Sequence, residues 1–188
     1  MKIIKTTLEG CFIIENNVYS DKRGLFVETY QKKKFNEKLG ISANFVQDNF
    51  SLSKKGVLRG LHFQNKFQQG KLIRVIKGKV FDVVVDIRKN SRTFGSHFCL
   101  ELNEKNNLQI WIPVGFAHGF LTLTDEAYFE YKCTDYYMKD DENTIYWNDP
   151  DLNIPWPRDI QIITSEKDEK AKSFNEYKSS EAFRKYST

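Results

Sequence analysis

The 188-residue sequence predicts an all-β fold: a sandwich or barrel of mostly antiparallel strands with few helices. Two observations carry this. Short runs rich in Val, Ile, Phe and Tyr recur from residue 11 to residue 133, separated by polar or glycine turns. Within that span one stretch alone, residues 31–39, has helical spacing, with Gly40 as its stop.

The elements follow in order. Residues 11–15 and 24–30 read as strands, separated by Asn16-Asn17 and the turn Ser20 to Gly24. After the helix come strand-like runs at 44–52, 57–64, 71–77, 79–87, 96–102, 108–113, 117–123 and 127–133. Lys77-Gly78 and Asn103 to Asn107 are turns between neighbours. In 127–133, alternation puts Ala127, Phe129, Tyr131 and Cys133 on one face, so Tyr131 points inward with a hydroxyl that needs a partner. In 79–87, Phe81, Val83, Val85 and Ile87 oppose Val80, Asp82, Val84 and Asp86; the two carboxylates can be read as closing hydrogen bonds inside the barrel. Residues 141–160 hold most of the prolines and read as an ordered, irregular flap. Residues 166–188 are charged, with one or two short helices and mobile last residues. The whole chain, 1–188, reads as one domain.

Composition narrows the function. A formal charge of +4 is too mild to argue for nucleic acid but suits a small anionic ligand. Cys11, Cys99 and Cys133 are odd in number and widely spaced, which suits reduced thiols in a cytoplasmic protein. No run approaches the roughly 20 apolar residues of a membrane span, and the N-terminus has no signal-peptide pattern.

Chemistry concentrates in Gly56-Val57-Leu58-Arg59-Gly60-Leu61-His62-Phe63-Gln64. An arginine on a buried strand calls for an anion, and a histidine beside a bound anion can move protons near neutral pH. A histidine there can also be a plain core histidine. Strict alternation puts Arg59 and His62 on opposite faces, so if both reach one ligand the strand bulges, and Gly60 is the place for it. A second segment, Pro113-Val114-Gly115-Phe116-Ala117-His118, resembles the P-x-G-x-x-H motif of cupins. Metal-binding cupins carry His-x-His and a nearby Glu in the first motif. Here the first motif reads His62-Phe63-Gln64 with no Glu in the next ten residues, which leaves too few ligands for a catalytic divalent site.

Taken together, the motifs resemble the dTDP-4-dehydrorhamnose 3,5-epimerase family, metal-free cupins of nucleotide-sugar metabolism. The matching stretches are Asp21 to Glu28, Gln47-Asp48-Asn49-Phe50-Ser51, Gly56 to Gln64, Gln69-Gly70-Lys71-Leu72, Phe81 to Arg88, Ser91 to Gly95, Ile112 to Phe120, Tyr131 to Tyr137, Glu142 with Trp147 to Pro150, and Ser165-Glu166-Lys167-Asp168. They stand in family order and cover most of the chain. The resemblance implies a cupin-type double-stranded β-helix, a jelly-roll barrel with a few short peripheral helices. It implies a dTDP-4-keto-6-deoxyhexose substrate and no cofactor. His62 would be the base, Asp168 its orienting carboxylate, Lys71 a stabiliser of the enolate oxygen, and Tyr131 the acid on the opposite face. Arg23 and Arg59 would hold the pyrophosphate. Glu28, Gln47, Asp48 and Asn49 would contact the nucleoside, with Phe26 and Tyr137 as stacking surfaces. His118, Glu142 and Lys167 match further ligand positions; Glu142 and Lys167 can also be read as ordinary surface charges. The 21–28 region would cross from a partner subunit, completing the site of a homodimer.

Rival readings are an epimerase acting on another nucleotide-linked 4-keto sugar or on C3 alone, a 3,4-ketoisomerase on the same barrel, and a non-catalytic sugar-binding cupin. The Tyr131 and Lys71 matches speak against the ketoisomerase. A binding module would need neither a His62–Asp168 pair nor Tyr131.

Overall fold

The structure, a computed structural model, describes residues 1–180. Its strands are β1 (Lys2–Lys5), β2 (Phe12–Glu15), β3 (Val18–Asp21), β4 (Gly24–Val27), β5 (Gln47–Lys54), β6 (Leu58–Gln64), β7 (Lys71–Lys77), β8 (Lys79–Asp86), β9 (His97–Asn103), β10 (Leu108–Ile112), β11 (Phe116–Thr122), β12 (Glu126–Cys133) and β13 (Glu142–Thr144). The α-helices are α1 (Lys32–Leu39), α2 (Glu166–Glu169) and α3 (Phe174–Ser179). Two antiparallel sheets face each other, ordered β1-β2-β10-β7-β12-β5 and β13-β6-β11-β8-β9, and the β3–β4 hairpin stands apart from both. The architecture is the jelly-roll barrel of the cupin type.

Alternation decides what each sheet face meets. The inner faces close on a core that includes Ile73, Val75, Val80, Val84, Ile110, Phe120 and Phe129, with Phe120 and Phe129 stacked at 4.0 Å between centroids. The five-stranded sheet is covered on its outer face as well. Val83 and Val85 of β8 and Leu58, Leu61 and Phe63 of β6 pack there against Ile145, Leu152, Ile154 and Trp156 from the irregular flap, and against Phe174 and Tyr177 of α3. A strand buried on both faces reads as a near-continuous apolar run, which is the pattern of β8. α1 lays Phe35 on Ile14, Leu72 and Trp111 of the six-stranded sheet. It ends at Gly40, whose φ of +66° is the left-handed stop.

Three strands were not expected from the sequence: β1, β3 and β13. Each is four residues or fewer and lacks a full alternating period. The strand expected at 24–30 stops at Val27, and that expected at 44–52 runs from Gln47 to Lys54. The charged tail holds two short helices, as expected; α3 opens with a reciprocal cap in which Ser173 and Glu176 satisfy each other's backbone N–H. The mobility expected of the last residues concerns positions outside the described residues. Among the described residues, no helix is long and apolar enough to cross a membrane.

Candidate active site

The register between β6 and β11 settles which way Arg59 and His62 point. His62 stands opposite His118, and Arg59 opposite Phe120. Between these pairs β11 has only Gly119, whereas β6 has Gly60 and Leu61, so β6 bulges by one residue. Phe120 belongs to the core between the sheets, and His118, two residues before it, shares its face. Arg59 and His62 therefore both face the barrel interior, and the conflict posed by strict alternation disappears. Gly60 makes this possible. Its φ is +137°, and a Cβ there would come within 2.5 Å of the Gly119 Cα.

Asp168 reaches His62 from the far end of the chain. Ser165 caps α2 by accepting a hydrogen bond from the Asp168 N–H, which sets the carboxylate 2.7 Å from His62 Nε2. Asp168 is 2% exposed. Burial alone would push its carboxyl up. Hydrogen bonds from His62, Ser165 and the Gly60 N–H outweigh that and hold it below the ordinary carboxylate range, so it stays charged. A charged carboxylate against Nε2 selects the tautomer with the proton on Nε2. The Nδ1 lone pair is then left for chemistry.

β7 and β12 supply the opposite wall. Cys133 pairs with Lys71 and Tyr131 with Ile73, so Lys71 and Tyr131 both point inward. The Lys71 ammonium lies 5.9 Å from the Tyr131 ring centroid. Among the described residues neither the ammonium nor the phenol makes a hydrogen bond or an ion pair. A structural core tyrosine would have spent its hydroxyl on the backbone. Burial lowers the pKa of Lys71, against smaller opposing effects of Cys133, Glu142 and Asp82, and it pushes that of Tyr131 up to about 12. At neutral pH Tyr131 is a protonated acid.

The edge strand β5 lines its part of the barrel with polar groups. β5 turns Gln47, Asn49, Ser51 and Ser53 inward, opposite Cys133, Tyr131, Phe129 and Ala127. Gln47 Nε2 donates to Asn49 Oδ1 at 3.0 Å. Arg59 Nε donates to the buried Ser53 Oγ at 3.1 Å, joining β6 of the five-stranded sheet to β5, the edge strand of the six-stranded one. At the mouth, the Tyr137 hydroxyl (3.0 Å) and Lys167 Nζ (2.7 Å) both meet Glu142 Oε2. Burial raises the pKa of Glu142, but Lys167, His62 and Tyr137 together bring it below its ordinary value. His118 Nε2 lies 2.9 Å from the fully buried Asp82, whose other carboxylate oxygen has no hydrogen-bond partner among the described residues.

The barrel thus brings together His62, Asp168, Lys71, Tyr131, Arg59, His118, Gln47 and Asn49, with Tyr137, Glu142 and Lys167 at its rim. Four expected site residues stand elsewhere in the single chain. Asp48 points out of the barrel and pairs with Lys132 at 2.9 Å, because alternation sends it opposite to Gln47 and Asn49. Arg23 and Phe26 sit exposed on the β3–β4 hairpin, and Arg23 pairs with Asp21 at 2.6 Å. Glu28 follows the hairpin and pairs with Lys34 at 2.8 Å. Sequence reasoning missed Ser53 and gave Gln64 no part. The signal for Ser53 was its place in the inward-facing set of β5. Asp82, read as a hydrogen-bond closer, is the partner of His118, while Asp86 is bound by Arg88, Ser91 and Thr93 at a turn. Among the described residues no three His, Cys, Asp or Glu side chains converge as a metal-ligand set. Cys11, Cys99 and Cys133 are free thiols.

The family model for dTDP-4-dehydrorhamnose 3,5-epimerase matches residues 5–176. The protein of that name from Methanothermobacter thermautotrophicus is 50% identical over 177 residues, covering 93% of this chain and 95% of its own. That from Shigella flexneri is 48% identical over 175 residues, covering 93% and 96%. A crystal structure of dTDP-6-deoxy-D-glucose-3,5-epimerase from Legionella pneumophila, in complex with dTDP-4-keto-L-rhamnose, superimposes with a TM-score of 0.91 at 52% identity, covering 93% of each chain. The motifs, the barrel and these matches agree: the chain belongs to the dTDP-4-dehydrorhamnose 3,5-epimerase family.

Proposed function

We propose that this chain inverts C3 and C5 of dTDP-4-dehydro-6-deoxy-D-glucose to give dTDP-4-dehydro-L-rhamnose, a step of dTDP-L-rhamnose biosynthesis in the cytoplasm that supplies cell-surface polysaccharide. The C4 ketone acidifies the neighbouring C–H bonds. His62 Nδ1 takes the proton and Asp168 stabilises the imidazolium that forms. The electron pair moves to the C4 oxygen, where Lys71 carries the enolate charge. Tyr131 returns a proton to carbon from the other face, which inverts the centre. The imidazolium then gives its proton to solvent and the phenolate regains one. No electrons are exchanged with a cofactor.

The observation that carries this reading is the pairing of walls. A histidine already hydrogen-bonded to a buried carboxylate faces a barrel in which, among the described residues, a phenol and an ammonium make no hydrogen bond or ion pair. Arg59 holds the diphosphate, while Gln47, Asn49 and Tyr137 hold the nucleoside. Arg23, Phe26 and Glu28 come from the hairpin of a second copy, and the active form is a homodimer; the exposure of Phe26 (68%) and Leu25 (62%) on that hairpin supports this. Asp48 orients its strand through Lys132 and serves the nucleoside only indirectly.

The test is incubation with dTDP-4-dehydro-6-deoxy-D-glucose in D2O, followed by NMR. Deuterium at both C3 and C5 is expected. Label at C3 alone would make the protein a mono-epimerase, and no label at either carbon would overturn the reading for this substrate. His62→Ala is expected to lower exchange by about 10²–10⁴, the ordinary contribution of a general base; retention of wild-type exchange would remove His62 from that role.

A further inference from the structure

Gln64 holds the position that carries the second ligand histidine in metal-binding barrels of this shape, and the mechanism above makes no use of it. It is 5% exposed, on the same inward-facing side of β6 as His62. Its amide is engaged at both ends. Nε2 donates to the carbonyl oxygens of Phe67 and, at 3.0 Å, of Tyr136, while Oε1 accepts the Met138 N–H at 2.7 Å. The acceptor and donor pattern fixes the orientation of the amide. Two of these partners flank Tyr137. Between them, the Tyr137 N–H donates to Gln47 Oε1 at 2.9 Å. Two glutamine side chains, one from each sheet, therefore grip three successive residues of a segment that belongs to no helix or strand.

From that segment the contacts run back to the strand they started on. The Tyr137 hydroxyl meets Glu142, which pairs with Gln64 across the β6–β13 ladder and takes Lys167 as its counter-ion. Lys167 precedes Asp168, and Asp168 binds His62, two residues from Gln64. The circuit ties the rim of the site to its base through one strand. A loop exposed as this one is, with Tyr137 at 49% and Tyr136 at 60%, has little apolar burial to hold it. The Gln64 amide fixes Tyr136 and Met138 to β6, beside the bonds from Gln69 to Asp135 and from Tyr137 to Gln47.

We propose that Gln64 is a positioning residue of the ligand site: its amide latches the backbone of residues 136–138 and so aims Tyr137 and Glu142 at the nucleotide part of the bound dTDP-sugar. The proposal rests on the function argued above for the ligand, and on geometry alone for the latch. It assigns to binding a position that metal-dependent barrels use for chemistry. Loosening the latch costs preorganisation, so affinity falls while the proton transfers at His62 and Tyr131 keep their rate once substrate is bound.

Gln64→Met keeps the volume and removes the hydrogen bonds. In that variant the Tyr137 and Met138 amides are expected to exchange with solvent about tenfold faster or more, and the KM for the dTDP-sugar and the Kd for dTDP to rise about tenfold, with kcat within about threefold of wild type. Tyr137→Ala is expected to raise KM similarly, and the double variant to add little beyond either, because both act through one element. Gln64→Glu supplies a second readout. Its carboxylate faces two carbonyl oxygens near pH 8, whereas its protonated form regains a donor, so its KM is expected to recover towards wild type by about pH 5.5 in a way that Gln64→Met does not. Unchanged amide exchange in Gln64→Met would overturn the latch. So would a fall in kcat at constant KM, or KM losses that multiply in the double variant. If Gln64→Met does not fold, the pH response of Gln64→Glu decides, and a flat response overturns the proposal. If the wild type neither binds dTDP nor labels the sugar, the proposed function fails by itself, and amide exchange still decides the latch.

Discussion

Tyr131 and Lys71 are unusual for what they lack. A phenol and an ammonium that face the interior with no hydrogen bond or ion pair among the described residues contribute little to folding, and the ammonium works against it. Tyr131→Phe removes a hydroxyl that makes no hydrogen bond among the described residues, so stability is expected to stay within about 0.5 kcal/mol of wild type by denaturant titration. In D2O the same variant is expected to exchange its substrate protons yet lose most of the inversion, since the base remains and the acid on the other face does not. Equal loss of exchange and inversion would make Tyr131 a structural residue. Lys71 carries a testable sign. Burial puts its folded pKa below the ordinary 10.5, so across the window between those values the unfolded chain binds more protons and stability rises with pH. Below that window the burial penalty is present in full. Lys71→Met is therefore expected to melt a few degrees higher near neutral pH, at about 2–4 °C per kcal/mol for a chain of this length, while its turnover drops sharply. The gain is expected to fade as the pH climbs towards 10.5. A lower melting temperature at neutral pH would show that the lysine contributes to the fold.

At the scale of the element, the bulge in β6 decides whether there is a site at all. An unbulged strand would carry Arg59 and His62 on opposite faces, one inside the barrel and one outside. The extra residue turns both inward, and only glycine fits, because the backbone is in the left-handed half of φ and Gly119 of β11 lies against it. Gly60→Ala is expected to cost more than about 2 kcal/mol, combining a strained φ with a backbone clash, and to abolish turnover even where the protein still folds. A variant that melts like wild type and keeps full turnover would show that the bulge tolerates a side chain. α2 does related work at much shorter length. Four residues capped by Ser165 bring Asp168 to His62, and a segment so short holds this geometry only because its neighbours fix it.

For the whole molecule, part of the expected site stands outside the barrel of the single chain. Among the described residues the hairpin that carries Arg23 and Phe26 pairs only with itself, while Gln47 and Asn49 on the edge strand β5 stay partly exposed. If a second copy brings its hairpin to that edge, two inactive variants are expected to complement. Coexpressed Arg23→Ala and His62→Ala chains form mixed dimers in which one of the two sites has both residues intact, so activity is expected to return to about a quarter of wild type at statistical mixing. No recovery would place Arg23 and His62 of a working site on one chain.

The barrel class, the strand count to within three short members, α1 with its glycine stop and the inward direction of Tyr131 could all be read from the sequence. Each rests on a local period or a single turn residue. The resemblance of ordered motifs supplied the candidates for base, acid and carboxylate. Asp48 could not be separated from Gln47 and Asn49 in that way, because a motif names neighbours without saying which face they take. Gln64 looked like the absence of a metal ligand, and its three backbone partners lie between 3 and 74 residues away. What the sequence determined by itself is therefore the set of groups and the barrel that holds them, since patterning is local. The tertiary structure decided that Arg59 and His62 share a face; it also put Asp168 against an imidazole 106 residues earlier and left Arg23 away from the barrel of its own chain, both of which the motifs by themselves had only implied through a resemblance. The physical reason is that register, bulges and returns of the chain depend on contacts between strands far apart in sequence, and no local period encodes those.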